Sequence, residues 1–216
     1  MKQYPTMITA HAGAENTVDN TLESIYELSE CGADALEVDV RMQGGILLLY
    51  HDVPCAGKQY ATLEEALQVV APYENLMINV DLKEEGLIRP VSELAERCGM
   101  TGRYLFTGSV RNSEFEYVRK YGLKVWYNGA LLTAEEQKDP IQNVMNKGFD
   151  VLNTSYKTVD ATLLSESAKQ LSVWTVNQAE EIEVYLRAGV RNITTRTPVQ
   201  ALQLRREIQK EYSCSV

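Results

Sequence analysis

Two histidines occur in the 216-residue chain, His11 and His51, and each closes a short apolar run: MITAH at 7–11 and ILLLYH at 46–51. Imidazole takes up and releases protons near neutrality, so a pair at neighbouring strand ends suits general acid and base catalysis. A histidine at a packed strand end can also do no more than bond a backbone carbonyl; two of them so placed, with no others in the chain, favour chemistry. Glu37 and Asp39 stand two apart in ALEVDV (35–40), and Asp81 and Lys83 repeat that spacing in NVDLK (79–83). Residues two apart in a strand share a face, so Ala35, Glu37 and Asp39 point one way while Leu36, Val38 and Val40 point the other. Three carboxylates held close repel one another unless protons or a divalent cation offset them. With no sulfur donor nearby, oxygen ligands favour magnesium, calcium or manganese over zinc. One divalent cation on Glu37, Asp39 and Asp81 is expected, against the alternative of a hydrogen-bonded structural cluster.

The elements that must position these groups show as an alternation of two periods. Val-, Ile- and Leu-rich runs recur at 7–10, 35–40, 76–82, 104–107, 124–127, 150–154, 171–176 and 190–194, with helix-like stretches between them. In the first of these stretches Leu22, Ile25, Tyr26 and Ser29 follow helical spacing, Asn20 is placed to cap, Glu23 to complete a capping box and Gly32 to end the helix. Glycines at 99, 122, 148 and 189 mark later helix ends. Eight strand–helix units predict right-handed crossovers closing into a compact (β/α)8 TIM barrel, one domain over 1–216. Gly44-Gly45 predicts a short β-hairpin after strand 2, folding ILLLYH back on ALEVDV. In such a barrel chemistry sits where strands end, and His11, His51, Asp52, the acids, Lys83 and Trp174 all fall at that rim.

Composition narrows the function classes. A net charge of -9 excludes a general surface for nucleic acid or anionic membranes, which would need a basic face. No run is long and apolar enough for a signal peptide or membrane span, which predicts a cytoplasmic protein. Cys31, Cys55, Cys98 and Cys214 lack metal-site spacing and are expected to be reduced, and the tail REIQKEYSCSV (206–216) is expected to extend the last helix before fraying.

HAG (11–13), DNTLESIYELSECGADALEVDV (19–40), YHD (50–52), NVDLK (79–83) and VWTVN (173–177) occur in that order. Together they resemble the glycerophosphodiester phosphodiesterase family over residues 8–198. The family's Glu-Asn-Thr lies as far before its metal-binding glutamate as Asp19 lies before Glu37 (37 − 19 = 18). Asp19-Asn20-Thr21 is therefore the matching copy, with Asp19 replacing a glutamate, and Glu15-Asn16-Thr17 is a decoy. The resemblance implies metal-dependent hydrolysis of glycerophosphodiesters to glycerol 3-phosphate and an alcohol. His11 and His51 would be acid and base, and Glu37, Asp39 and Asp81 would hold the cation, with Asp81 in place of a glutamate. Lys83 would meet the phosphate, Trp174 the glycerol carbons, and Asp52 would orient its loop or a partner. Ala12 departs from the family pattern, which has an arginine there, a natural phosphate ligand. Lys83 and the metal would then carry the phosphate, helped by Arg41 or Arg196, or the substrate would be a different diester. A noncatalytic barrel binding a metal and a phosphorylated polyol is the competing class. Lean loops without an apolar docking segment disfavour bulky lysophospholipids.

Overall fold

The computed structural model describes residues 6–55 and 57–214. The stretch before Thr6, the end of the tail and the side chain of Cys214 lie outside the described residues. Elements alternate as the sequence periods require: β1 (Met7–Ala10), α1 (Leu22–Ser29), β2 (Ala35–Gln43), β3 (Ile46–Leu49), α2 (Leu63–Val70), β4 (Met77–Leu82), α3 (Ile88–Arg97), β5 (Tyr104–Gly108), α4 (Phe115–Tyr121), β6 (Tyr127–Asn128), α5 (Pro140–Asn146), β7 (Leu152–Ser155), α6 (Ala161–Ser167), β8 (Leu171–Trp174), α7 (Ala179–Ala188), β9 (Asn192–Thr195) and α8 (Pro198–Cys214). Eight of the strands run parallel in the order β5-β4-β2-β1-β9-β8-β7-β6. The ring closes between β5 and the residues leading into β6. There the Phe106 N–H donates to Lys124 O and the Trp126 N–H donates to Phe106 O, both at 2.9 Å. This is a TIM barrel. The additional strand β3 pairs antiparallel with the outer half of β2 around Gly44-Gly45, whose φ angles of 59° and 82° suit the tight turn.

Strand alternation sends Leu36, Val38 and Val40 outward under the helices and builds an interior graded along the barrel axis. At the end where strands begin, Leu105, Trp126 and Val151 pack with Met7 and Met77. Above them lies a layer of buried amides and hydroxyls. The Thr9 hydroxyl donates to Asn192 Oδ1 (2.7 Å), Asn192 Nδ2 to Ser172 Oγ (3.0 Å), and Ser172 Oγ to Asn153 Oδ1 (2.8 Å). Buried polar groups are costly unless paired, and this chain of bonds pairs them. Near the strand ends the layer gives way to carboxylates.

Three local expectations need correction. The cap of α1 is Thr21, whose hydroxyl accepts the Ser24 N–H at 3.2 Å, and Asn20 lies outside the helix in left-handed backbone (φ 60°). With the cap at Thr21, Ser24 occupies the third helical position, so Glu23 cannot complete a capping box. The buried face of α1 is Ser24, Ile25, Leu28 and Ser29, and Tyr26 is 57% exposed. The run at 124–127 forms a strand over Tyr127–Asn128 alone, because its earlier residues bond to Phe106 on one flank while pairing with β7 begins at Tyr127.

Gly108 ends β5 at φ 83°, and a Cβ there would lie 2.3 Å from Leu82 O and 2.7 Å from Asp81 Oδ1. Gly108→Ala adds a backbone clash to left-handed strain. It is expected to cost about 1–3 kcal/mol, read as a lower urea midpoint; an unchanged midpoint would refute this tight packing beneath Asp81.

Candidate active site

Glu37, Asp39 and Asp81 reach the barrel mouth from β2 and β4, with the Asp39 and Asp81 Cα positions paired in register. Each offers one oxygen, and the three oxygens lie within 4.8 Å of one another. Their supports differ. Glu37 Oε2 accepts the Ala12 N–H at 3.0 Å. Asp39 is gripped twice by Asn20: Asn20 Nδ2 donates to Asp39 Oδ2 at 2.7 Å, and the Asp39 N–H donates to Asn20 Oδ1 at 3.0 Å. Asp81 Oδ1 accepts the Thr107 hydroxyl at 2.8 Å. The Lys83 ammonium lies between Asp39, whose Oδ1 is 2.8 Å away, and Asp81 Oδ2.

The electrostatics follow from this crowding. Burial, then the charges of Asp39 and Asp81, hold the Glu37 pKa well above the ordinary carboxylate value. Burial also pushes Asp39 upward, but the charge and hydrogen bond of Lys83, the Asn20 bond and His51 outweigh it, so its pKa is lowered. Burial opposes the charge on Lys83, while Asp81 and Asp39 together hold it firmly protonated. A deeply buried carboxyl resisting ionisation beside two others is a group that could hold a metal ion, which would supply positive charge.

His11 stands beside this cluster with its side chain 23% exposed, and its backbone N–H donates to Thr195 O at 2.9 Å. Its Nδ1 is 2.6 Å from Ala12 O, which fixes the proton on Nδ1 and leaves Nε2 with the lone pair. Burial lowers its pKa; the Ala12 carbonyl opposes that, and the Arg196 charge reinforces it. His51, on the loop after β3, is 67% exposed; its Nδ1 lies 2.9 Å from Asp52 Oδ1, and its carbonyl accepts Arg41 Nε–H at 3.0 Å.

Both histidines, the three acids, Lys83 and Trp174 line one cavity of about 240 Å³. The Trp174 indole Nε1–H is buried with no hydrogen-bond partner among the described residues. Asp19, Asn20 and Asp52 are not part of the lining, and Asp19 is paired with Arg196 at 3.0 and 2.7 Å. The sequence did not single out Asn79, Thr107, Asn128, Asn153, Thr175 or Thr194, which complete the wall. The available signal for all but Thr175, which follows the end of β8, was their inward phase on the strands, which an uncharged residue advertises poorly. Arg41 holds the His51 loop from below.

No family model matches the chain. A glycerophosphodiester phosphodiesterase of Caldanaerobacter subterraneus subsp. tengcongensis is 24% identical, with 94% of this chain and 98% of that protein covered. The chain is thus similar to a glycerophosphodiester phosphodiesterase along nearly its whole length. Its fold is shared by the crystal structure of a glycerophosphodiester phosphodiesterase from Parabacteroides distasonis, with a TM-score of 0.79, 20% identity and coverage of 95% of this chain and 98% of that one. An Oleispira antarctica phosphodiesterase, solved with its product sn-glycerol-3-phosphate, superposes with a TM-score of 0.66 at 17% identity over 93% of this chain and 96% of that one.

Two predictions concern the acids. Asn20→Ala removes both bonds to Asp39 and is expected to weaken divalent-ion binding by about tenfold to a hundredfold, measured by calorimetric titration of the purified chain; undiminished affinity would discount Asn20 as a support. In the metal-free chain the raised pKa of Glu37 means that its contribution to stability is present below the ordinary carboxylate pKa and is lost as pH rises through the folded value. Thermal unfolding in EDTA from pH 5 to 8 should therefore show wild type losing ground to Glu37→Gln as pH rises. Parallel curves would contradict a Glu37 pKa raised in the fold.

Proposed function

We propose that the chain is a metal-dependent phosphodiesterase that hydrolyses small glycerophosphodiesters to glycerol 3-phosphate and an alcohol. The observation that carries this reading is the convergence of a divalent-ion donor set with both histidines of the chain on one cavity. The named activity of the relatives agrees with it. Glu37, Asp39 and Asp81 would hold the ion. When bound, the ion would neutralise phosphate charge and make the glycerol 2-hydroxyl easier to deprotonate. Magnesium, calcium and manganese all suit three carboxylates.

His11 acts as base in this scheme. Burial favours its neutral imidazole, and Nε2 offers the lone pair that accepts the 2-hydroxyl proton. The resulting alkoxide forms a bond to phosphorus as the bond to the departing alcohol breaks, and His51, steadied through Nδ1 by Asp52, donates the proton that the leaving oxygen takes. Water then opens the cyclic phosphate with the two roles reversed, so each histidine returns to its starting state. Lys83 presents its ammonium to the phosphate from between Asp39 and Asp81, and Trp174 forms a wall against the glycerol carbons with its free indole N–H as a donor. Among the described residues no helix is long and apolar enough to cross a membrane. Small diesters in the cytoplasm complete the proposal.

Release of glycerol 3-phosphate from glycerophosphocholine and glycerophosphoethanolamine tests it, with each ion in turn and an EDTA control. His11→Ala and His51→Ala are each expected to lower kcat by about 10²- to 10⁴-fold, and EDTA to abolish turnover. Binding of ion and diester with no turnover under any condition would leave a binding barrel in its place.

A further inference from the structure

Arg196 follows β9, and its backbone is held at both the N–H and the carbonyl. Its N–H donates to Asn177 Oδ1 (2.8 Å), and its carbonyl accepts the Glu15 N–H (2.9 Å). From this footing the guanidinium crosses the loop after His11. Nη1 donates to Gly13 O (3.2 Å) and to Asp19 Oδ1 (3.0 Å), while Nη2 donates to Asp19 Oδ2 (2.7 Å). The approach is so close that a Cβ on Gly13 would lie 1.8 Å from Asp19 Oδ1 and 3.0 Å from Arg196 Nη1. Backbone without a side chain is what lets the pair form there. Asp19 is joined directly to Asn20, which is held in left-handed backbone and grips Asp39 by two hydrogen bonds. The path from the guanidinium to an ion-binding carboxylate is thus continuous: Arg196, Asp19, Asn20, Asp39.

We propose that Arg196 is a positioning residue which, by clamping Asp19, holds Asn20 against Asp39 and so sets the affinity of the carboxylate cluster for a divalent cation. The inference rests on the metal centre of the proposed phosphodiesterase. It also gives Arg196 a part other than the phosphate ligand that Ala12 lacks, because two of its nitrogens are committed to Asp19 and Gly13. Positioning and bare charge predict opposite signs. The Arg196 charge acts on Glu37 and Asp39, so as a mere cation it would repel a bound ion, and its removal would tighten binding. As a clamp, its removal must loosen binding.

The test is Mn²⁺ titration of the full chain by calorimetry, without substrate, for wild type, Arg196→Gln, Asp19→Asn, the double variant and Arg196→Lys, alongside hydrogen exchange of the Asp39 amide. Each single variant is expected to bind Mn²⁺ about tenfold to a hundredfold more weakly, the double variant no more weakly than the worse single, and Arg196→Lys to recover part of the loss. The Asp39 amide, which donates to Asn20, is expected to exchange faster in Arg196→Gln. Unchanged or tighter Mn²⁺ binding in Arg196→Gln, or weakened binding with unaltered Asp39 exchange, overturns the inference and leaves the phosphodiesterase reading standing. A wild-type chain that binds neither Mn²⁺, Mg²⁺ nor Ca²⁺ overturns both. Asp19→Asn keeps the question answerable if Arg196→Gln does not fold.

Discussion

Three carboxylates share the mouth of a closed barrel, and the mutual repulsion of their charges is the constraint around which the neighbouring structure is arranged. Isolated buried carboxylates do not stay ionised, so each must be met by a donor, a cation or a proton. The fold supplies all three kinds of relief. A backbone N–H from the β1 loop meets Glu37, which still favours its protonated form; Lys83 answers Asp39 and Asp81; and Thr107 and Asn20 bond the other oxygens of Asp81 and Asp39. These donors come from four separate segments. The cluster can persist only while the barrel is closed and the loop before α1 is in place.

The same logic explains the graded interior. A barrel filled with aliphatic side chains to its rim would place the acids directly on hydrocarbon, where desolvation is most severe. The layer of Thr9, Asn192, Ser172 and Asn153 interposes fixed dipoles between the apolar floor and the charged mouth, and every member of that chain of bonds is satisfied within it. Dipoles held in place by packing cost no reorganisation when charge changes above them. The floor supplies hydrophobic stability and the middle layer supplies polarity.

Much of this was legible in the sequence for a physical reason. Strand periodicity is strict, so Glu37, Asp39, Asp81 and Lys83 had one possible facing once ALEVDV and NVDLK were strands, and the structure gathers them with His11 and His51 on one cavity. The outward aliphatic half of β2 made the inward acids conspicuous. What the sequence hid were contacts across long separations between residues with ordinary local explanations. Asn20 looked like a helix cap, yet Thr21 caps α1 and Asn20 spends its amide on Asp39. Arg196 and Asp19 stand 177 residues apart, and neither has a periodicity that announces the other. Uncharged interior residues such as Asn153 and Thr194 were silent because alternation marks a face and not its use.

The closure of the ring is uneven, and this bears on how the molecule can deform. Pairing of β2 with β4 runs from Ala35–Met77 to Val40–Leu82, whereas among the described residues the backbone of β5 bonds to the β6 region at Phe106 alone. The acids, Lys83 and Thr107 stand on or just after β2, β4 and β5 to one side of this seam, and Asn128, Asn153 and Trp174 on β6, β7 and β8 to the other, the two sides being joined the long way round through β1 and β9. The seam is therefore the sparsest backbone junction of the ring, and it lies between Thr107 on β5 and Asn128 on β6. The carboxylates stand on the densely paired β2 and β4, so an opening of the seam would widen the cavity between β5 and β6 before it altered their spacing.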